Sequence, residues 1–273
     1  MYKREIGANL GTTGFLGADF SLSKATSEGV TNRVTHTRTT VVGTNAVTLT
    51  YDHDTTISGS TVSGKMVTAT VGGNLNISSL QDTDTYRSTS KSSGVSISYT
   101  PGRAGIVSGG QTTGKINSDY RSVAQQAGIY AGTGGYDITT NGTTRLTGAV
   151  IAGKADKETN RLTTGNLIMQ DIQNEASYSA GSGGFNLSTD KGTALNPLGL
   201  GKVTSIPVKG EAASTTRSAI AEGIILVAGK RSDKEINHNT EEALQRLGTI
   251  FDKVRLIQWV LGCPLNLVVL SRG

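Results

Sequence analysis

Val47-Thr48-Leu49-Thr50 followed by Ile57-Ser58 returns twenty residues later as Val67-Thr68-Ala69-Thr70 followed by Ile77-Ser78. Apolar and hydroxyl side chains alternate in these runs, the two-residue period of a strand with one face packed inward and the other toward water. Leu75-Asn76-Ile77-Ser78 and Val95-Ser96-Ile97-Ser98 alternate in the same way. Short β-branched runs at this spacing suit coils that lay each strand on its counterpart in the next turn. The reading predicts Val47 over Val67 and Ile57 over Ile77, at the ~4.8 Å spacing of hydrogen-bonded strands.

A longer period contains the shorter one. Thr55-Thr56-Ile57-Ser58-Gly59-Ser60-Thr61-Val62-Ser63-Gly64 returns as Thr144-Arg145-Leu146-Thr147-Gly148-Ala149-Val150-Ile151-Ala152-Gly153, with Ile57 and Leu146 offset by 89. Asn74 to Asp82 returns as Asn166 to Asn174 at an offset of 92, after a three-residue insertion near Ala155-Asp156-Lys157-Glu158. Gly94-Val95-Ser96-Ile97-Ser98 returns as Gly184-Phe185-Asn186-Leu187-Ser188 at 90, and Asp19-Phe20-Ser21-Leu22-Ser23 reads as the tail of an earlier copy. Twenty does not divide ninety, so irregular hairpins must interrupt the coils.

Composition agrees with thin stacked strands. Aromatics are 5% and charged residues 17%, with 36 Gly and 4 Pro. Such a chain is too polar for a large globular core, yet its low charge and regular alternation argue against disorder. The formal net charge of +5 is spread along the chain, with no Lys/Arg cluster and interleaved aromatics to follow a phosphate backbone, so nucleic acid is not an expected partner. Cys263 is the single cysteine, which excludes an intrachain disulfide and a cysteine zinc site. Met1-Tyr2-Lys3-Arg4-Glu5 lacks the apolar run of a signal peptide, and the chain reads as a piece of a longer protein.

Three zones follow. Residues 1–192 form the repeat array, with copies at about 44–101 and 133–192, a partial earlier copy at 10–24, and hairpin or coil-closing signals at Gly72-Gly73-Asn74, Gly134-Gly135 and Asn141-Gly142. Residues 193–232 are a transition that supplies the last strands. Residues 233–273 are expected to contain a short helix: Asn239 or Thr240 caps it, Glu241 and Glu242 suit its first turn, and Leu244, Leu247, Ile250, Phe251 and Val254 form its apolar stripe. The stretch Val254 to Leu270, interrupted by Pro264, is shorter than the roughly 20 apolar residues of a spanning helix.

No constellation for chemistry emerges, so the expectation is no catalytic residue, no cofactor and no metal. His36, His53 and His238 have no second His or Cys at metal-ligand spacing. Asp52-His53-Asp54 and Asp82-Thr83-Asp84 read as polar turns. Gly132-Thr133-Gly134-Gly135-Tyr136-Asp137 is a single copy of something like a calcium-binding nonapeptide, a site that needs tandem copies. No Ser sits in a nucleophile elbow with Asp and His partners, and no Gly-rich stretch ends in the Lys-Ser/Thr of a phosphate loop.

The run Thr55 to Asp84, with Val71-Gly72-Gly73-Asn74-Leu75-Asn76-Ile77-Ser78-Ser79-Leu80-Gln81-Asp82 in it, resembles the hemagglutinin repeats of filamentous hemagglutinin-like exoproteins, especially contact-dependent growth inhibition effectors. Ser122 to Gly132, Leu146 to Ala152 and Asp171 to Ala176 extend the resemblance, which covers roughly residues 10–253. It implies an all-β, right-handed parallel β-helix of stacked repeats with a short C-terminal helical, pre-toxin-like segment. The implied role is delivery of a C-terminal toxin across a target cell's outer membrane, by a protein exported through an outer-membrane two-partner secretion transporter. The implied partners are that transporter and a target-cell outer membrane or surface receptor. The implied location is secreted or cell-surface, with a possible periplasmic hold before delivery. After Lys253 the chain departs from the family pattern. A passive adhesive stalk and a gene remnant are the alternative readings, a membrane β-barrel is a rival for the fold, and a β-helical polysaccharide-active enzyme would need carboxylates gathered on one face, which are scattered here.

Overall fold

The computed structural model describes residues 2–11, 17–103, 105–189, 201–204, 207–232 and 235–248, and every regular element among them is a strand. The chain opens on a long hairpin, β1 (Tyr2–Gly11) and β2 (Ala18–Val34). Two coils follow, β3 (Thr40–Tyr51) with β4 (Thr55–Ser58) and β5 (Thr61–Val71) with β6 (Leu75–Ser78). A second hairpin, β7 (Gln81–Tyr99) and β8 (Ile106–Val123), leaves the coils and returns. The next two coils are β9 (Gly128–Thr147), then β10 (Val150–Gly153) with β11 (Arg161–Gln170). A third hairpin has β12 (Ile172–Ser188) as its outgoing arm and β13 (Gly201–Thr204) and β14 (Val208–Thr216) on its return. β15 (Ala219–Ile220), β16 (Ile224–Val227) and β17 (Lys230–Arg231) make the last coil.

Within the coils pairing is parallel, apart from the closing β16/β17 pair, and this stacking is that of a parallel β-helix. Val47 lies opposite Val67 and Ile57 opposite Ile77, as the twenty-residue spacing predicts. The columns run on through later coils. Val62, Ile129, Ile151 and Ile220 are successive partners, and so are Ala69, Ile138, Leu162 and Ile225. All eight are buried, each large aliphatic one stabilising the stack by about 1.5–3 kcal/mol relative to exposure. Tyr136 crosses this interior to donate its hydroxyl to Ala221 O at 2.9 Å, and burial pushes its phenol well above the ordinary range.

Gly134-Gly135 does not close a coil. It lies inside β9, where the run from Gly132 bulges opposite Lys65 and Gly135 takes a φ of 71°. The repeated Ser58-Gly59 and Thr147-Gly148 do mark corners: Gly59 and Gly148 have φ of 56° and 53°, the left-handed region that favours glycine. A Cβ at these positions would meet Leu80 at 2.8 Å or Ile172 at 2.6 Å, themselves equivalent residues of the two copies.

The hairpins build a separate, wholly antiparallel sheet in the order β1-β2-β7-β8-β12, with β13 and β14 both along the far side of β12. It is open, with β1 at one edge. The ninety-residue period is therefore two coils plus one hairpin, β3 to β8 and then β9 to β14. Asp19-Phe20-Ser21-Leu22-Ser23 begins a returning arm, whereas Gly94–Ser98 and Gly184–Ser188 lie on outgoing ones.

The expected C-terminal helix is not present in the described residues 239–248. Its cap does form: Asn239 Oδ1 accepts from Glu242 N at 3.1 Å, and Asn239 Nδ2 donates to Glu242 Oε2 at 2.8 Å. The helical bond that would follow, Leu247 N to Ala243 O, is pre-empted at both ends. Ala243 O accepts from Arg217 N at 2.8 Å, and Leu247 N donates to Ser122 Oγ at 3.0 Å. Residues 235–248 thus run as a strap along the last coil and the hairpin bases, because tertiary partners outcompete the local ladder. Ile250, Phe251, Val254 and the tail with Cys263 lie outside the described residues.

Because β5 and β10 are equivalent, deleting residues 61–149 removes one whole unit in phase. The product is expected to unfold in a single cooperative transition with the same β signature by circular dichroism. Deleting only the second coil, residues 59–78, is expected to give a broadened transition, since the remaining coils and arms no longer advance together.

Candidate functional site: the seam between coils and arms

Asp52-His53-Asp54 sits at the exposed corner between β3 and β4. Asp54 Oδ1 accepts from Asn74 N at 2.7 Å, and the Asn74 amide also reaches both Asp54 oxygens. Asn74 Oδ1 in turn accepts from Thr143 N at 2.8 Å, and Thr144 N donates to Thr164 Oγ1 at 3.1 Å. The corner of each coil is thereby laced to the next across four coils. The backbone N–H of Asn74, then its side-chain amide, holds the Asp54 carboxyl below the usual carboxylate range.

A second set of bonded side chains lies where each hairpin leaves the coils. Asn174 is wholly buried. Its Oδ1 accepts from Val123 N at 2.9 Å and from Gln81 Nε2 at 3.2 Å, while its Nδ2 donates to Thr216 Oγ1 at 2.9 Å and to Gln245 O at 3.0 Å. The equivalent residue of the first copy, Asp82, accepts from His36 N at 2.8 Å. Both copies therefore use an Asx side chain to tie an outgoing arm to the backbone just inside the preceding return. Three residues earlier a second clamp repeats: Ser79 Oγ accepts from Ala127 N at 2.9 Å, and Asp171 Oδ1 accepts from Ser218 N at 2.8 Å. Each closes the base of its own hairpin. The Asn74–Asp82 and Asn166–Asn174 alignment contains these positions, but only the structure shows what they bind.

The remaining sequence candidates are dispersed. Asp84 pairs with Arg33 at 2.6 Å across β2 and β7. His36 lies 3.4 Å from Asp82, His53 is exposed at its corner, and His238 Nδ1 lies 2.8 Å from Ile220 O. Asp137 lies in β9 after the bulge at Gly132–Gly135. Among the described residues no three His, Cys, Asp or Glu side chains converge as metal ligands.

The arms overturn one expectation. Val95 and Ile97 do not pack inward: they are 51% and 46% exposed, while Ser96 and Ser98 on the other face are half-buried. Ser96 Oγ bonds Ser108 Oγ at 2.6 Å, and Ser98 Oγ bonds Asp19. Alternation specifies two faces but not which of them is covered.

The family model for the hemagglutinin repeat matches residues 2–93, from β1 into the outgoing arm β7. Over 239 residues, 81% of this chain and 8% of the relative, the chain is 39% identical to "Toxin CdiA" of Escherichia coli. It is 34% identical to "tRNA nuclease CdiA" of Yersinia mollaretii over 93% of this chain and 8% of that one, and 32% identical to "Deoxyribonuclease CdiA" of Dickeya dadantii over 90% and 8%. The chain belongs to the hemagglutinin-repeat exoproteins of contact-dependent growth inhibition. It spans about 8% of the length of these curated relatives. No solved structure matches it. In this hemagglutinin-repeat segment the family match takes in both arms of the first hairpin, two coils and most of the next outgoing arm.

Two substitutions test the seam and the corner. Asn174→Ala leaves the buried Val123 N–H and the Gln245 carbonyl without that partner, and is expected to cost about 2 kcal/mol or more in denaturant unfolding. It should also speed amide exchange in residues 243–248. Asp54 has a depressed folded pKa, so its contribution is present above the unfolded value and lost as pH falls through the folded one. Stability should fall less steeply below about pH 4 in Asp54→Asn than in the parent, with the parent the more stable at neutral pH and the two converging in acid.

Proposed function

We infer that this chain is a structural repeat segment of a large two-partner-secreted exoprotein, and that it supports delivery of a C-terminal toxin across a target cell's outer membrane after contact. The observation that supports this most is the unit itself: two coils and one hairpin join without a break to the next two coils and hairpin, a module suited to building a long body. Relatives named for a toxin, a tRNA nuclease and a deoxyribonuclease share this region at 32–39% identity. Activities that differ among proteins alike in this segment belong elsewhere in them, and the segment itself acts without catalytic residues, cofactor or metal. The coil sense is right-handed, as parallel crossover connections overwhelmingly are. The partners are the outer-membrane transporter during export and the target outer membrane or a surface receptor at delivery, with the segment at the bacterial surface and, before delivery, held in the periplasm.

A passive adhesive stalk is the second reading, favoured by the same stacked strands. The two separate in a full-length exoprotein carrying a reporter toxin. Deleting residues 44–132 should abolish toxin uptake by target cells while leaving cell attachment intact. Loss of attachment together with uptake, or uptake that survives the deletion, points to the stalk. Replacing Asp52, His53 and Asp54 by Asn, Gln and Asn should leave uptake unchanged, and loss of uptake with normal export would return a site to that corner.

A further inference from the structure

Seven of the thirteen large apolar side chains exposed among the described residues gather on one face of the arm sheet, near the tips. Phe20 lies opposite Ile97 and Ile97 opposite Val107, Leu22 lies opposite Val95, and Phe185 reaches the same face on β12. Residues directly opposite share a face, and so do residues two apart along a strand. The patch spans four strands, about 14 Å across, and from Val95 to Tyr99 about 13 Å along. The covered side of these strands is the one that carries the serines.

Charge is arranged around the patch. Toward the coils, on the same face, come Lys24, Lys91 and Lys115, each exposed and none in an ion pair among the described residues. The turn at the other end carries Arg103, also exposed. Between Tyr99 and Lys91, and between Val107 and Lys115, that face holds no carboxylate. Farther down, Arg87 and Arg121 are neutralised by Asp119 and Glu175 at 2.8 and 2.7 Å.

We propose that this face of the arm tips docks flat on an anionic phospholipid surface, with the apolar patch against acyl chains and Lys24, Lys91, Lys115 and Arg103 against headgroup phosphates. An apolar centre bracketed by cations without ion-pair partners among the described residues, on an open sheet, matches an anionic interface, where apolar burial and lysine attraction act together. The proposal deepens the delivery reading by naming the surface that meets a membrane, and it rests on that reading only for its biological setting.

Flotation of the full chain with phosphatidylcholine vesicles, with and without phosphatidylglycerol, tests it. Binding is expected only with phosphatidylglycerol and should weaken as salt rises. Lys24→Gln, Lys91→Gln and Lys115→Gln together should weaken it by about a hundredfold, at roughly a fivefold loss per lysine near an anionic surface. Val95→Thr, Ile97→Thr and Phe185→Thr together should also abolish binding, while the unfolding midpoint of the coils stays unchanged. No binding, equal binding to neutral vesicles, or full binding by either triple variant overturns the proposal. A dimer in solution that the threonine variant dissolves would assign the face to a second copy instead, and equally overturns it. The vesicle assay and toxin uptake are independent: loss of uptake with intact vesicle binding, or the reverse, sinks one reading without the other.

Discussion

Strands that share backbone hydrogen bonds lie ~4.8 Å apart whether they run parallel or antiparallel. Two coils therefore advance the β-helix by about 9.6 Å, and the two arms of one hairpin advance the antiparallel sheet by the same amount. This equality lets both sheets grow side by side from one chain without strain. One coil per hairpin, or three, would put the sheets out of step within a single unit. The ninety-residue period is the sequence-level trace of that match, and the one-residue and two-residue slips at Gly43/Ala46 and Gly64/Met66 are absorbed locally as bulges.

Where the two sheets meet, the backbone must change partners from parallel to antiparallel neighbours, and at those points N–H groups, several of them buried, would be left unpaired. Ser79 and Asp171, and Asp82 and Asn174, supply the acceptors there. Gln126 adds donors from its amide to Gly148 O and Arg217 O. The seam is thus held by directional bonds and the coil interior by apolar columns. The strap of residues 235–248 joins the same network through Gln245 O and Leu247 N, so the end of the coil stack and the base of the last hairpin are tied as one piece.

The two sheets meet water differently. In the coils the apolar side of each strand turns inward, and Val67, Ile77 and Ile129 are almost wholly buried. Among the described residues no second layer lies against the arm tips, and there the apolar side is the open one. Exposed apolar strands invite association, and here Lys24, Lys91 and Lys115 lie beside them on the same face. The hemagglutinin-repeat segment therefore combines a coil core that packs on itself with an arm face left open among the described residues.

The sequence by itself determined the strands, the coil register and the repeat. Val47 over Val67 and Ile57 over Ile77 follow from a two-residue alternation inside a twenty-residue spacing, because stacked identical side chains bury the same face in every coil. The polar corner at Asp54 was also legible, since Asp and Asn beside glycines suit turns. Three features were decided only by tertiary structure. Asn174 and Asp82 share a repeat position, yet nothing local shows that they accept backbone N–H groups from the preceding return. The cap at Asn239 forms without its helix because Ala243 O and Leu247 N find partners far away in sequence. Val95 and Ile97 carry the same alternation as Val67 and Ala69 but face outward. Alternation divides a strand into two faces, and only a second layer, present in the coil and absent from the described residues at the arm tip, selects which of them is buried.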